Sequence, residues 1–184
     1  MARISHHKAR KEYICDKCHQ PIPKGTQYVQ CMEFMHNPTR RHETCGYKPS
    51  ETVSSEHLQN LYSAQEDIQA AIMARDPETI CSAVSDAKDV AEEESQSYND
   101  SADNREEFFP NSADEIREKS QACDDWAGEL DSALEELNAC KDEYDEIPGP
   151  WDTEAKDAPV HRSQEEIIDE MVEKADGANT SLEV

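Results

Sequence analysis

Glycine is scarce in this chain, with five residues in 184. That excludes the glycine-rich loops that cradle phosphates in nucleotide-binding enzymes, and no nucleophile elbow, paired-histidine helix or calcium loop occurs either. Aromatic residues make up 6 % and apolar residues 35 %, too little for a thick globular core and more in keeping with elongated helices. No apolar run approaches the length of a membrane span. The start, Met1-Ala2-Arg3-Ile4-Ser5-His6-His7, lacks a hydrophobic signal region, so a cytoplasmic location is expected. Positive charge is also in short supply: 18 Lys and Arg face 42 Asp and Glu, a net charge of −24. The shortage is local. Residues 1–48 hold nine basic against four acidic side chains, and the remainder nine against thirty-eight. A basic beginning is therefore joined to a strongly acidic body, and such asymmetry can hide a nucleic-acid-facing end inside an acidic protein.

Cysteine is the residue type that stands out. There are seven, an odd number that argues against a secreted disulfide framework. Tyr13-Ile14-Cys15-Asp16-Lys17-Cys18 is answered by Arg41-His42-Glu43-Thr44-Cys45. The pattern is Cys-x2-Cys followed by His-x2-Cys, and it nominates Cys15, Cys18, His42 and Cys45 as ligands of one zinc ion. Zinc takes four soft or borderline ligands at tetrahedral corners, and each short pair supplies two. Four protein ligands leave no position for water, so the expected metal is structural. Cys31, His19 and His36 are near misses: Cys31 falls mid-strand, and the histidines have no short-spaced partner. Between the pairs, Pro21–Thr26 reads as a turn and Gln27–Phe34 as a strand, one arm of a hairpin. Knuckle, hairpin and a ligand pair opening a helix is the order of a treble-clef-like finger.

The run from Tyr13 through His42 and Cys45 into Lys48-Pro49-Ser50-Glu51 resembles a group of small phage-encoded proteins. These carry a Cys-x2-Cys/His-x2-Cys finger, a Pro-Ser-Glu hinge and acidic helices. The resemblance covers the first third of the chain well and the rest in style. It implies the metal and the architecture, with a host-cytoplasm setting, and no established activity.

The fold class expected is mainly α, with a small N-terminal α+β zinc module. Residues 1–12 read as a basic flexible arm and 13–49 as the finger. Residues 50–147 read as an acidic helical domain, and 148–184 as linker, short amphipathic helix and disordered tail. Three helices are expected near 54–75, 77–108 and 113–147. Ser54 or Ser55 caps the first; Asp76 caps the second, with Pro77 in its first turn; Ser112 and Glu115 form a capping box for the third. Apolar residues recur by fours and threes in the second helix (Ile80, Val84, Ala87, Ala91, Tyr98) and the third (Cys123, Ala127, Leu130, Leu134, Leu137). Folded back at Pro110, the two seams pair small with large in a long antiparallel coiled-coil hairpin. A flank of Trp126, Ala133, Cys140 and Ile147 also recurs every seven residues. The first helix should cover only the base of this hairpin, leaving the Phe108-Phe109 tip unsupported. Ser163 and Glu166 open a short helix, 163–175, that reads as weak or partner-dependent.

The functional expectation is a non-catalytic zinc-binding accessory factor. Arg3, Lys8, Arg10, Lys11, Lys17, Lys24, Arg40 and Arg41 would contact nucleic acid, and the acidic hairpin would space the finger or engage a protein. The alternative is an adaptor or inhibitor whose acidic hairpin occupies the basic groove of a host protein, in the manner of DNA. A third reading makes the rod a spacer or oligomerisation element. His36-Asn37 is the one trace of a His-Asn-His nuclease, and the ligand set such an enzyme needs is not visible.

Overall fold

The computed structural model describes residues 3–32, 38–147 and 162–182. The chain is mainly helical, with a small sheet region at its N-terminal end. It divides into two compact units, residues 1–63 and 64–184.

The first unit holds five short strands: β1 (Arg3–Lys8), β2 (Tyr13–Ile14), β3 (Pro21–Ile22), β4 (Gln27–Met32) and β5 (Thr39–His42). β1, β4 and β5 form an antiparallel sheet with β4 central, and β2 pairs with β3. Tyr28, Val29 and Cys31 of β4 are buried, as befits a strand enclosed on both faces. A central strand must satisfy its backbone N–H and C=O groups on both sides. That requirement orders the segment expected to be a mobile arm: Arg3 to Lys8 pair in register with Met32 to Gln27. Two further bonds extend the pairing, Ala9 N–H to Thr26 O at 2.9 Å and Gly25 N–H to Ala9 O at 2.8 Å. Gly25 has φ +92°, a conformation that an L side chain resists. Around the two small ladders, Ala9, Cys15, Ile22 and Tyr28 form one buried cluster, flanked by Tyr13 and Cys45.

Four helices follow: α1 (Glu56–Ala74), α2 (Pro77–Glu106), α3 (Pro110–Glu146) and α4 (Gln164–Asn179). The division between units falls within α1. Arg75, at φ 55°, ends α1, and Asp76 starts α2 as expected, accepting the N–H of Thr79 with Pro77 in the first turn. The Thr79 hydroxyl and backbone bonds hold the Asp76 carboxyl below the usual range. Its contribution to stability is therefore whole above the unfolded pKa and is lost as pH falls through the folded one. Asp76→Ala should lower the Tm of the helical unit at neutral pH, and the melts of variant and wild type should converge in acid. α3 begins three residues earlier than expected. Pro110 occupies its first turn and Phe109 its N-cap, without a side-chain cap, so Ser112 lies inside the helix and the expected capping box is not what starts it.

Contacts between α2 and α3 run in opposite sequence directions. Lys88 meets Asp131 at 2.6 Å, Ser95 meets Ser120 at 2.9 Å, and Arg117 reaches Asp103 and Glu106. Buried along the two helices are Ile80, Val84, Ala87, Ala91 and Tyr98 on α2, and Cys123, Ala127, Leu130 and Leu137 on α3. Toward the distal end, where the seam by fours and threes runs on through Ser101 and Arg105, Ser95 and Ala102 are the buried residues instead. Phe108 and Phe109 at the turn are 71 % and 65 % exposed.

α4 differs most from expectation. It is a 16-residue helix with the Ser163–Glu166 capping box in place, and it docks rather than waiting for a partner. Ile167, Met171, Ala175 and Ala178 are buried. Trp126 Nε1 donates to Ala178 O at 3.0 Å, Arg162 pairs with Glu143 and Glu170, and Lys174 with Glu136. On its other side, Gln65 and Gln69 of α1 reach Asn179 O and Asp176 at 2.8 and 2.9 Å, and Arg75 pairs with Asp169. The Trp126 flank of α3 thus meets α4. The tail expected to be disordered from Asp176 is helical to Asn179. The linker reading of 148–161 lies outside the described residues.

Candidate metal centre

Two tight turns build the centre. Cys15 follows β2; its N–H donates to Gln20 O at 2.9 Å, and His19 N–H returns to Cys15 O at 2.9 Å. His19 takes the left-handed conformation, φ 57°, that such a turn requires. The second turn follows β5. Cys45 N–H and Gly46 N–H both donate to His42 O, at 2.9 and 3.1 Å, with Gly46 at φ +49°. The helix expected to open at this pair is therefore not there. His42 closes a strand, Cys45 lies in a turn, and the next helical residues are the 3-10 turn Pro49–Thr52. A His-x2-Cys spacing suits a turn as well as one helical turn, and the strand before it decides between them.

The two turns bring four ligand atoms together. One atom each from Cys15, Cys18, His42 and Cys45 lie within 4.8 Å of one another. Cys18 Sγ is 3.4 Å and Cys45 Sγ 4.0 Å from His42 Nδ1. Zinc bonds of about 2.0–2.3 Å at tetrahedral angles imply ligand–ligand edges of about 3.5–3.8 Å, so the spacing is compatible with a single zinc ion. The other imidazole nitrogen, Nε2, donates to Pro21 O at 3.2 Å. That bond places the proton on Nε2 and leaves the Nδ1 lone pair for the metal. Among the described residues this is the one group of His, Cys and carboxylate side chains placed to hold a metal.

The electrostatics favour a cation. Burial raises the Cys15 pKa, but N–H groups of Cys18, His42 and Lys17 directed at its sulfur outweigh burial and lower it to about 6. Cys45 is pushed up instead, by burial and by the neighbouring sulfurs of Cys18 and Cys15. One thiolate forms readily and opposes the next, and a divalent ion between them removes that conflict. Lys17 Nζ also donates to Cys45 O at 3.1 Å, tying the two turns.

The near misses stay outside this group. Cys31 is buried in β4 and His19 is exposed in the first turn, and neither joins the cluster; His36 and the His36-Asn37 pair lie outside the described residues. Cys81, Cys123 and Cys140 are buried on α2 and α3, where burial raises each thiol, Cys123 to about 11. These are packing residues.

The expected basic contacts divide into two sets. Arg41 turns inward: it bonds Gly46 O at 3.1 Å and Glu51 at 2.7 Å and lies over the Tyr47 ring at 4.3 Å. Together with Lys17 it braces the second turn. Arg40 lies 4.6 Å from the Tyr13 ring centroid, with Lys11 at 5.7 Å. The Ala9–Thr26 and Gly25–Ala9 bonds set exposed Arg10 and Lys11 beside exposed Lys24, with exposed Lys8 one residue away on β1. Arg3 lies at the end of β1. Sequence reasoning missed Tyr13 and Tyr47, the rings under these arginines; the only signal was an aromatic within two residues of a ligand or a basic pair. Comparison with protein-family models, with curated proteins and with solved structures finds no match for this chain.

Proposed function

We propose that this is a non-catalytic zinc-binding protein whose metal-organised head engages nucleic acid. The ion's role is structural, since the four side chains that converge on it would fill a tetrahedral shell and leave no place for water or substrate. The observation that carries the reading is the reciprocal backbone pairing of Ala9 with Thr26 and Gly25. It gathers Lys8, Arg10, Lys11 and Lys24 at one end of the sheet. Phosphate contacts of this kind are sequence-blind and release counterions. Full-length, zinc-loaded protein should bind labelled oligonucleotide at low salt. Its log–log salt slope should be negative and shrink by roughly 0.7–0.9 for each of Arg10→Gln and Lys24→Gln. Absence of binding at low ionic strength would remove the reading.

A second reading has one observation in its favour. Phe108 and Phe109 are largely exposed at the end of two acidic helices, a combination that suits an adaptor docking on another protein. Phe108→Ser with Phe109→Ser should leave oligonucleotide binding unchanged; loss of a protein partner by the same variants would assign a contact to the tip, and retention of that partner would remove the second reading.

A further inference from the structure

The register of the sheet places a second set of residues on one face. His7 pairs with Tyr28 and Tyr28 with His42; Ser5 pairs with Gln30 and Gln30 with Arg40. Paired residues share a face of a sheet, so the face that carries ligand His42 also carries His7, Tyr28, Gln30, Ser5 and Arg40. The side chains along it meet as tilted rings. The His7 and Tyr28 rings are 5.7 Å apart at 30°, Tyr28 and Tyr13 are 5.5 Å apart at 48°, and the Arg40 guanidinium covers Tyr13 at 4.6 Å. His7 is exposed, and its ring is held in plane by Nε2 against Ser5 Oγ at 2.8 Å. Tyr28 OH donates to Gln30 Oε1 at 3.4 Å, which fixes the amide's oxygen inward.

Tyr28 itself is buried, which leaves exposed His7 and half-buried Arg40 at the two margins of this face. We propose that these margins are a binding site for single-stranded nucleic acid, with unpaired bases stacking on the His7 ring and the Arg40 guanidinium plane while Lys11, Arg10 and Lys24 hold the phosphates. The proposal rests on the nucleic-acid reading above and narrows it. Planar groups set along a sheet are reached only by bases that are not stacked on one another, whereas a duplex offers its phosphates alone to such a face. Nor do the described residues of the sheet region supply a helix for a major groove: between Arg3 and His42 all regular structure is strand. Asp16 limits the track. Its carboxylate accepts the Arg40 backbone N–H, so negative charge sits on that side of Arg40 and the phosphates are directed toward Lys11. Stacking on rings and guanidinium planes tolerates any base, and the expected preference is for strandedness over sequence.

The test uses full-length, zinc-loaded protein and three fluorescent probes at low salt. They are a single strand of about 15 nucleotides, the same backbone with abasic sites, and the matching duplex. The single strand should bind about tenfold tighter than the other two. Arg40→Lys, which keeps the charge and loses the plane, and His7→Ala should each cut single-strand affinity about fivefold to tenfold. Neither variant should alter duplex or abasic binding, nor the zinc content of one per chain. Equal binding of all three probes, or variants that weaken all three alike, would overturn this proposal while leaving phosphate binding by the head intact. If none of the three binds, both readings fail together.

Discussion

Stripping the metal with a chelator is expected to erase the dispersed amide signals of residues 3–32 and 38–47, while the helical far-UV signal persists. The magnitudes decide this. Among the described residues the buried apolar side chains of the sheet region are Ala9, Cys15, Ile22, Tyr28, Val29 and Cys31. Full burial of a large apolar side chain contributes about 1.5–3 kcal/mol, and ordering each residue costs about 1–2 kcal/mol of backbone entropy. A core of that size does not hold some forty residues. A structural zinc ion contributes about 10–16 kcal/mol in finger peptides, which reverses the balance. The helical unit has its own core, from Ile80 to Leu137 and Met171, and does not depend on the ion. Cys15→Ser should reproduce the chelated state, with zinc per chain falling from one toward zero by elemental analysis. Cys31→Ser is the control and should keep its zinc, because Cys31 lies outside the cluster. Amide dispersion that survives complete removal of zinc would sink the structural role.

Trp126→Ala should be the most damaging single change in the helical unit. Trp126 is 1 % exposed, and its indole joins α3 to α4 through the bond to Ala178 O. Truncating a buried Trp costs about 3–5 kcal/mol, a large share of the about 5–15 kcal/mol that holds a whole domain. Trp126→Phe keeps most of the volume but leaves the Ala178 carbonyl without its donor, which should cost about 1–3 kcal/mol. Urea melts followed by far-UV circular dichroism should therefore rank wild type above Phe above Ala. An Ala variant as stable as wild type would mean that α4 does not depend on this contact.

What the sequence disclosed follows the range of the forces involved. The four ligands were legible because chelation by short-spaced pairs is a local constraint. So were the Asp76-Pro77 and Ser163–Glu166 starts, each written in four residues. Treble-clef order was an overreach, since His42-Glu43-Thr44-Cys45 fits two local geometries and only the strand Thr39–His42, paired to β4, selects the turn. β1 was hidden because Arg3-Ile4-Ser5-His6-His7-Lys8 has no apolar alternation; its order comes from the hydrogen-bonding demand of a strand some twenty residues away. The docking of α4 was hidden for a related reason. The stripe Trp126, Ala133, Cys140 was visible, and so was the face Ile167, Met171, but nothing local says that one covers the other. The partners of Arg41 were hidden because charge gives no sign of direction, and Glu51 and the Tyr47 ring draw the side chain to themselves.

The layers between α2 and α3 change character along their length. Near α4 they contain Leu130 and Leu137; farther out Ser95 meets Ser120 and Tyr98 is buried, and beyond Tyr98 lie only Ala102 and Ala113. Small side chains let the backbones come close but provide little adhesion per turn, and Arg117, flanked by Asp103, Glu106 and Asp114, is the main cross-tie there. A tug at the Phe108-Phe109 end would therefore peel the pair apart over its outermost turns and stall at buried Tyr98. The rod is a graded spring, compliant where it meets the outside and stiff where it is anchored.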